Sequence, residues 1–249
     1  MKSRLDKFLV EQGLAASRER AQALILAGKV LVDEQRIDKA GAQVEASAAI
    51  RLLDEDLKYV SRGGLKLERA LDHWRIDVRA RICVDVGAST GGFTDCLLQR
   101  GAARVIAIDT GYGQINFKLR QDPRVRLLEK TNARYLTRDI LAESMDFIAM
   151  DVSFISATLV LPAIVHAAFP ERTDAGGRQI VILVKPQFEA GRQHVGKGGI
   201  VRDPAAHAAA VEKVRQTVLS LGFESIDVIE SPILGAEGNR EFLLHGVFK

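Results

Sequence analysis

Arg81-Ile82-Cys83-Val84-Asp85-Val86-Gly87-Ala88-Ser89-Thr90-Gly91-Gly92-Phe93-Thr94-Asp95 is the stretch whose reading decides this chain. An apolar, β-branched run from Ile82 to Val86 stops at a turn containing Gly87, Gly91 and Gly92. A helical pattern then starts at Phe93 and continues through Leu97 and Leu98. The order is strand, tight glycine loop, helix. Unpaired N–H groups at the helix start face such a loop, and glycines let its backbone approach a ligand closely. Gly87, Ser89, Thr90, Gly91, Gly92, Phe93 and Thr94 are the candidate contacts. The spacing is Gly-x-x-x-Gly-Gly and not the Gly-x-Gly-x-x-Gly of dinucleotide sites, which weakens a nicotinamide or flavin reading. Taken alone, an ordinary strand-to-helix turn explains the loop equally well.

The residues beyond the loop shift that balance. A second apolar run, Arg104 to Ile108, ends in Asp109, about 20 residues beyond the first glycine, where a carboxylate at a strand end accepts from both ribose hydroxyls of a nucleoside. No Walker lysine stands after the glycines, so a triphosphate is disfavoured. S-adenosylmethionine has adenine, ribose and a sulfonium but no phosphate, and it suits a glycine turn plus an acid. Asp85 is placed to attract its positive amino-acid end, and the Thr131-Asn132-Ala133 loop puts Asn132 within reach of adenine.

Further strands repeat the same plan. Met145 to Met150 ends in Asp151, and Gln179 to Val184, the most apolar run, ends in Lys185. In an open α/β sheet ligands sit outside the carboxyl ends of the strands, so Asp85, Asp109, Asp151 and Lys185 are all expected there, with Asp151 a candidate for cofactor contact as well as chemistry. A lysine at a buried strand end has two readings. It can be an ion pair with Asp151, or, where desolvation and nearby cations lower its pKa, a neutral amine acting as general base. The runs around Ile226–Ile229 and Glu241–Phe248 are joined by a short loop and must be antiparallel, because a parallel return needs a crossover. Dehydrogenase folds do not usually finish this way, whereas adenosylmethionine-dependent methyltransferases do. By periodicity Lys66 belongs to a helix carrying Leu65, Leu67, Ala70 and Leu71 and reads as a surface lysine.

Composition sets the outer bounds. The 249 residues are 47% hydrophobic and 27% charged, enough for one large and one small domain. No apolar run approaches the ~20 residues of a membrane helix, and the charged N-terminus lacks a signal peptide's apolar core, so a cytoplasmic protein without stable membrane association is expected. Cys83 and Cys96 read as buried thiols, and the five histidines have no ligand spacing, so no metal is expected.

The net charge of +3 does not imply nucleic acid, but its distribution matters more. Residues 1–31 hold six basic side chains (Lys2, Arg4, Lys7, Arg18, Arg20, Lys29) against three acidic ones (Asp6, Glu11, Glu19). Leu5, Phe8, Leu9 and Val10 form the stripe of a helix stopped by Gly13. Ser17 caps a second helix with Ala21, Leu24, Ile25 and Leu26, and short strands come next around Val30, Ile37, Val44 and Ile50. The words Arg4-Leu5-Asp6, Ser17-Arg18-Glu19-Arg20-Ala21 and Gly28-Lys29-Val30-Leu31-Val32 closely resemble the RNA-binding module named after ribosomal small-subunit protein four. The resemblance implies phosphate contacts from Arg4, Lys7, Arg18, Arg20 and Lys29. Asp54-Glu55-Asp56 marks the exit, giving domains at 1–58 and 65–249 with a linker at 59–64. Arg62 in that linker, and Arg192 and Lys197 in a glycine-rich loop, are further candidate RNA contacts.

Lys66, Asp151, Lys185 and Glu241 stand in the order of the Lys-Asp-Lys-Glu tetrad of FtsJ-like ribose 2′-O-methyltransferases. The chain as a whole is similar to the TlyA family of RNA methyltransferases and haemolysins. The matching words are Ser61-Arg62-Gly63-Gly64-Leu65-Lys66-Leu67, Asp85–Asp95, Met150-Asp151-Val152-Ser153-Phe154-Ile155-Ser156 and Lys185-Pro186-Gln187-Phe188-Glu189. The resemblance implies an α/β, Rossmann-like methyltransferase sheet with an antiparallel C-terminal strand, plus a small N-terminal α+β RNA-binding domain. It implies S-adenosylmethionine as cofactor and ribosomal RNA or ribosomal subunits as partner. Lys185 is then the candidate base, Asp151 and Lys66 orient it, and Glu241 anchors Lys66 or the acceptor. Three alternatives are weighed against this: an RNA-binding assembly factor with a vestigial methyltransferase fold, a membrane-active haemolysin, and a base methyltransferase. The last is disfavoured because Asp151-Val152-Ser153-Phe154 stands where an Asn/Asp-Pro-Pro-aromatic motif would be.

Overall fold

The computed structural model describes residues 2–15, 17–52, 58–169 and 177–248. The chain forms two compact units, 1–58 and 59–249. The exit marked by Asp54–Asp56 lies outside the described residues.

The first unit runs β1 (Lys2–Arg4), α1 (Leu5–Glu11), α2 (Arg18–Leu26), β2 (Val30–Val32), β3 (Gln35–Arg36), β4 (Gln43–Glu45) and β5 (Ile50–Leu52). Apolar residues at helical spacing on α1 and α2 meet in one core, with Leu5, Leu9, Ala21, Ile25 and Val30 all fully buried. Ser17 Oγ accepts from Arg20 N at 3.2 Å and so caps α2. Strand β1 is absent from the sequence reading because Lys-Ser-Arg has no apolar alternation. It exists by pairing antiparallel with β4.

In the second unit the strands are β6 (Ile82–Val86), β7 (Arg104–Ile108), β8 (Val125–Leu128), β9 (Phe147–Met150), β10 (Arg178–Val184), β11 (Phe223–Glu230) and β12 (Phe242–Phe248). Its helices are α3 (Gly63–His73), α4 (Gly92–Gln99), α5 (Phe117–Gln121), α6 (Arg138–Leu141), α7 (Leu161–Ala168), α8 (Pro186–Glu189) and α9 (Pro204–Ser220). The strands make one seven-stranded sheet in the order β11-β12-β10-β9-β6-β7-β8. From β8 to β10 all pairings are parallel, and β12 alone runs antiparallel, between β10 and β11. This is the mostly parallel sheet of adenosylmethionine-dependent methyltransferases with the antiparallel finish that the short last loop requires.

Both faces of the sheet are covered, which is why its central strands read as unbroken apolar runs. Alternate residues divide between the faces. Val84, Ile106, Ile148 and Ile182 pack with Leu161, Ile164, Val214 and Val218 of α7 and α9. Cys83, Val105, Phe147 and Val181 pack with Leu67, Ala70, Leu71 and Leu97 of α3 and α4. Both cysteines are buried.

Residues 59–64, expected to be a linker, are built into the second unit. Tyr59 is buried, Val60 N donates to Asp95 Oδ2 at 2.8 Å, and α3 already begins at Gly63. The cause is close packing against the glycine loop. A Cβ at Gly92 would lie 2.9 Å from Gly64 N, so the two glycine pairs bring α3 and α4 into near backbone contact.

Candidate active site

The parallel strands β6, β7 and β9 end in register, with Val86 opposite both Ile108 and Met150. The residues just beyond them therefore share one rim. Gly87 holds a left-handed φ of +88°, and a Cβ there would collide with Asp151 O. Only glycine fits that turn. Gly87 N and Ala88 N both donate to Ile108 O, at 2.9 and 3.1 Å, locking the loop to β7.

Asp109 sits at the next tip. Its carboxylate accepts from Ser89 N at 2.8 Å and from Gly111 N at 2.6 Å, so both oxygens are fixed while lone pairs remain for a ligand. A cavity of about 480 Å³ opens here, lined by Gly87, Ser89, Asp109, Asn132, Asp151 and Phe154 among others. Asn132 caps its own turn by accepting from Arg134 N at 3.1 Å.

The remaining loop candidates are not on that wall. Gly91, Gly92, Phe93 and Thr94 are buried behind it, and Thr90 faces solvent. Asp85 also does not line the cavity. Strand alternation puts it with Cys83 on the α4 side, where it is fully buried and accepts from Thr94 Oγ1 at 2.6 Å. Its Oδ1 has no hydrogen-bond partner among the described residues. Burial pushes the carboxyl up to about 7; the Thr94 bond opposes the shift and the charges of Asp151 and Asp109 add to it.

The four tetrad positions come to the same end of the sheet as two ion pairs. Lys185 comes directly after β10 and Asp151 directly after β9, and Nζ lies 2.6 Å from Asp151 Oδ1, close enough for a strong pair though off the line of a hydrogen bond. Lys185 Nζ also donates to Ser153 Oγ at 2.7 Å. Antiparallel pairing of Val184 with Phe242 carries Glu241, one residue before β12, to the same row of tips. There its Oε2 accepts from Lys66 Nζ of α3 at 2.5 Å. Lys66 is thus buried and not a surface lysine. Helical spacing identifies a face but not a carboxylate 175 positions away that compensates a buried cation.

Sequence reading missed two residues beside these pairs. Phe154 is 93% exposed at a left-handed φ of 63°, a costly conformation for a bulky side chain. It lines the cavity and also an adjoining groove of about 390 Å³, where Phe188 stands with its ring centroid 5.4 Å away and Arg192 forms part of the wall. Glu189 is buried. It accepts from Ser156 Oγ and from Ala157 N at 2.6 Å, and pairs with Lys213 at 3.3 Å, bracing the segment after Phe154. In the sequence Phe154 is a phenylalanine between Ser153 and Ile155, and nothing there marks it as exposed.

The basic candidates are distributed over both units. In the first, Lys7, Arg18 and Arg20 are exposed, whereas Arg4 and Lys29 are half-buried. Arg4 and Arg18 both bond the Asp6 carboxylate. In the second, Arg62 and Lys197 are exposed, as is Arg192 on the groove.

Residues 59–248 match the family model described as FtsJ-like methyltransferase, and residues 3–50 match the S4 domain. A protein of Mycobacterium tuberculosis named 16S/23S rRNA (cytidine-2′-O)-methyltransferase TlyA is 47% identical over 98% of this chain and 89% of its own length. Hemolysin A of Brachyspira hyodysenteriae is 40% identical over 97% of this chain and 98% of its own. A solved structure, "Putative hemolysin from Streptococcus thermophilus", superposes with a TM-score of 0.73 at 43% identity, covering 100% of this chain and 89% of that one. Among the described residues no helix is long and apolar enough to cross a membrane.

Proposed function

We propose that this chain, which belongs to the FtsJ-like methyltransferase family and carries an S4 domain, moves a methyl group from S-adenosylmethionine to a ribose 2′-hydroxyl of ribosomal RNA. The observation that carries the reading is the pairing of Lys185 with Asp151 beside the cavity, with Lys66 and Glu241 paired at the same strand ends. Relatives named as cytidine 2′-O-methyltransferases of 16S and 23S rRNA support ribose as acceptor and cytidine as the nucleoside.

The residues fit the cofactor. Asp109 lines the cavity with acceptor capacity left for two ribose hydroxyls, Gly87 brings the loop backbone against Asp151 O where a Cβ would collide, and about 480 Å³ is a size typical of small-molecule sites. Asn132, Ser89 and Asp151 complete the wall. When bound, S-adenosylmethionine supplies an electrophilic methyl group.

A ribose hydroxyl is a poor nucleophile until its proton has a destination. Lys185 Nζ, held between Asp151 and Ser153, receives that proton after its own ammonium proton has passed to solvent, so that the amine enters the step neutral. Asp151 then stabilises the ammonium that forms. Lys66, fixed by Glu241, orients the acceptor ribose, and much of the acceleration comes from that alignment. Phe154 offers an aromatic face on which the base of the acceptor nucleotide stacks, with Phe188 behind it. The S4 unit contributes salt-sensitive affinity for the RNA backbone through its basic side chains.

The test is methyl transfer from radiolabelled S-adenosylmethionine to ribosomal subunits, with alkaline hydrolysis of the product. Label at an alkali-resistant linkage is the expected result. Label at an alkali-sensitive position moves the chemistry to a base. Cofactor binding without labelling of subunits, free rRNA or assembly intermediates favours an RNA-binding assembly factor.

A further inference from the structure

A carboxylate at the centre of a surface expected to bind polyanions calls for an explanation. Asp6, in the first turn of α1, has no solvent exposure. Its Oδ1 accepts from Arg4 Nε at 3.0 Å and from Lys7 N at 3.0 Å. Its Oδ2 accepts from Arg4 Nη2 at 3.0 Å, Arg18 Nε at 2.9 Å and Gln22 Nε2 at 2.9 Å. One side chain therefore ties β1, α1 and α2 together. The Arg4 and Arg18 side chains, still 42% and 48% exposed, converge on it. Their bonds hold the Asp6 carboxyl far below the usual carboxylate range, the Arg4 bond contributing most.

We propose that Asp6 is a positioning residue for RNA binding: it aligns Arg4 and Arg18 into one rigid two-guanidinium clamp for consecutive phosphates. The inference rests on the reading of the S4 unit as an RNA-binding unit. Among the described residues Arg18 bonds Asp6 through Nε alone, which leaves both its terminal amino groups for a ligand, and Arg4 keeps Nη1. Arginine side chains lose rotamer freedom when they bind, and a clamp ordered beforehand avoids most of that cost. Bidentate recognition of phosphate needs the planar fork held in one orientation.

This makes a prediction whose sign is opposite to simple electrostatics. Asp6→Asn removes a negative charge from a phosphate-binding surface, so charge alone would tighten binding. Loss of the clamp weakens it.

The experiment measures binding of full-length protein to ribosomal subunits, across a salt series, for Asp6→Asn, Arg4→Ala and Arg18→Ala, with circular dichroism and thermal melting of each. The expected result is a five- to fiftyfold weaker Kd for Asp6→Asn, about the loss from freeing two long side chains, with a salt slope lower by about one to two. The effect falls on KM for subunits and leaves kcat. Equal or tighter binding by a folded Asp6→Asn variant overturns the proposal. If neither alanine variant weakens binding, the RNA-binding reading itself fails. If the alanine variants weaken binding and Asp6→Asn does not, the positioning role alone is lost. Should Asp6→Asn fail to fold, Arg18→Lys decides, since it keeps the charge without the fork: weaker binding supports the clamp and unchanged binding overturns it.

Discussion

Lys66–Glu241 and Lys185–Asp151 are chemically the same kind of pair at the same end of the same sheet, yet they are built differently. Lys66 and Glu241 join a helix at one end of the unit's sequence to the strand at the other, and their side chains are 10% and 2% exposed. Lys185 and Asp151 join neighbouring parallel tips, and Asp151 is 21% exposed on the cavity wall. A pair whose carboxylate is sealed holds its lysine in one fixed position. One that is open on its carboxylate side, with a second partner in Ser153, is the pair that suits the proposed proton transfer.

The largest effect should come from breaking the open pair. Lys185→Ala should lower kcat by about 10²- to 10⁴-fold while leaving S-adenosylmethionine affinity nearly intact, as isothermal titration and single-turnover assays would show. Lys185→Arg should not rescue it, because a guanidinium does not give up its proton. Equal turnover in Lys185→Ala would remove it from the base role.

Breaking the sealed pair should show first in stability. Glu241→Ala leaves a buried cation without its partner, a cost of about 3–5 kcal/mol in urea unfolding. Replacing both members, Lys66→Met with Glu241→Leu, should recover most of that stability yet still turn over poorly. Wild-type turnover by this double variant would make the pair purely structural.

Asp109 lies outside both pairs and sharpens the contrast. Asp109→Ala should weaken the cofactor by about ten- to a hundredfold, the scale of lost hydrogen bonds to a charged group, with a smaller effect on transfer at saturating cofactor. The effect at Asp85 shows in the pH dependence of stability and leaves the cavity wall untouched. Its carboxyl is raised from 3.8 to about 7, so between those values the folded protein holds a proton that the unfolded chain has released. Stability therefore falls as pH rises through that window, by at most about 1.4 kcal/mol per pH unit. Melting temperatures of Asp85→Asn should lack that slope.

Much of this architecture could be read from residues. The Ile82–Val86 run, its glycines and the strand-end acids Asp109 and Asp151 rest on local patterns that stay visible whatever the rest of the chain does. The closing antiparallel strand was fixed by loop length alone. Other features depend on distant partners. Lys66 has a surface lysine's spacing and becomes buried only because Glu241 meets it. Residues 59–64 look like a turn-rich linker because the glycines that let them pack on α4 are those of a flexible segment. Helices α5 and α6 span five and four residues, too short for any periodicity to show. Asp85 reads as a ligand contact until strand alternation turns it toward Thr94.

The bond between Lys66 and Glu241 also has a meaning in time. The two residues are 175 positions apart. At elongation rates of roughly 5–20 residues per second, Glu241 is made about 9 to 35 s after Lys66. Every residue lining the cavity that begins at Val86 has been made by Val160. During synthesis every side chain of the cavity wall is therefore in the chain well before the lysine's anchor exists, whereas the core beneath the wall still waits for Ile180, Ile182, Val214 and Val218.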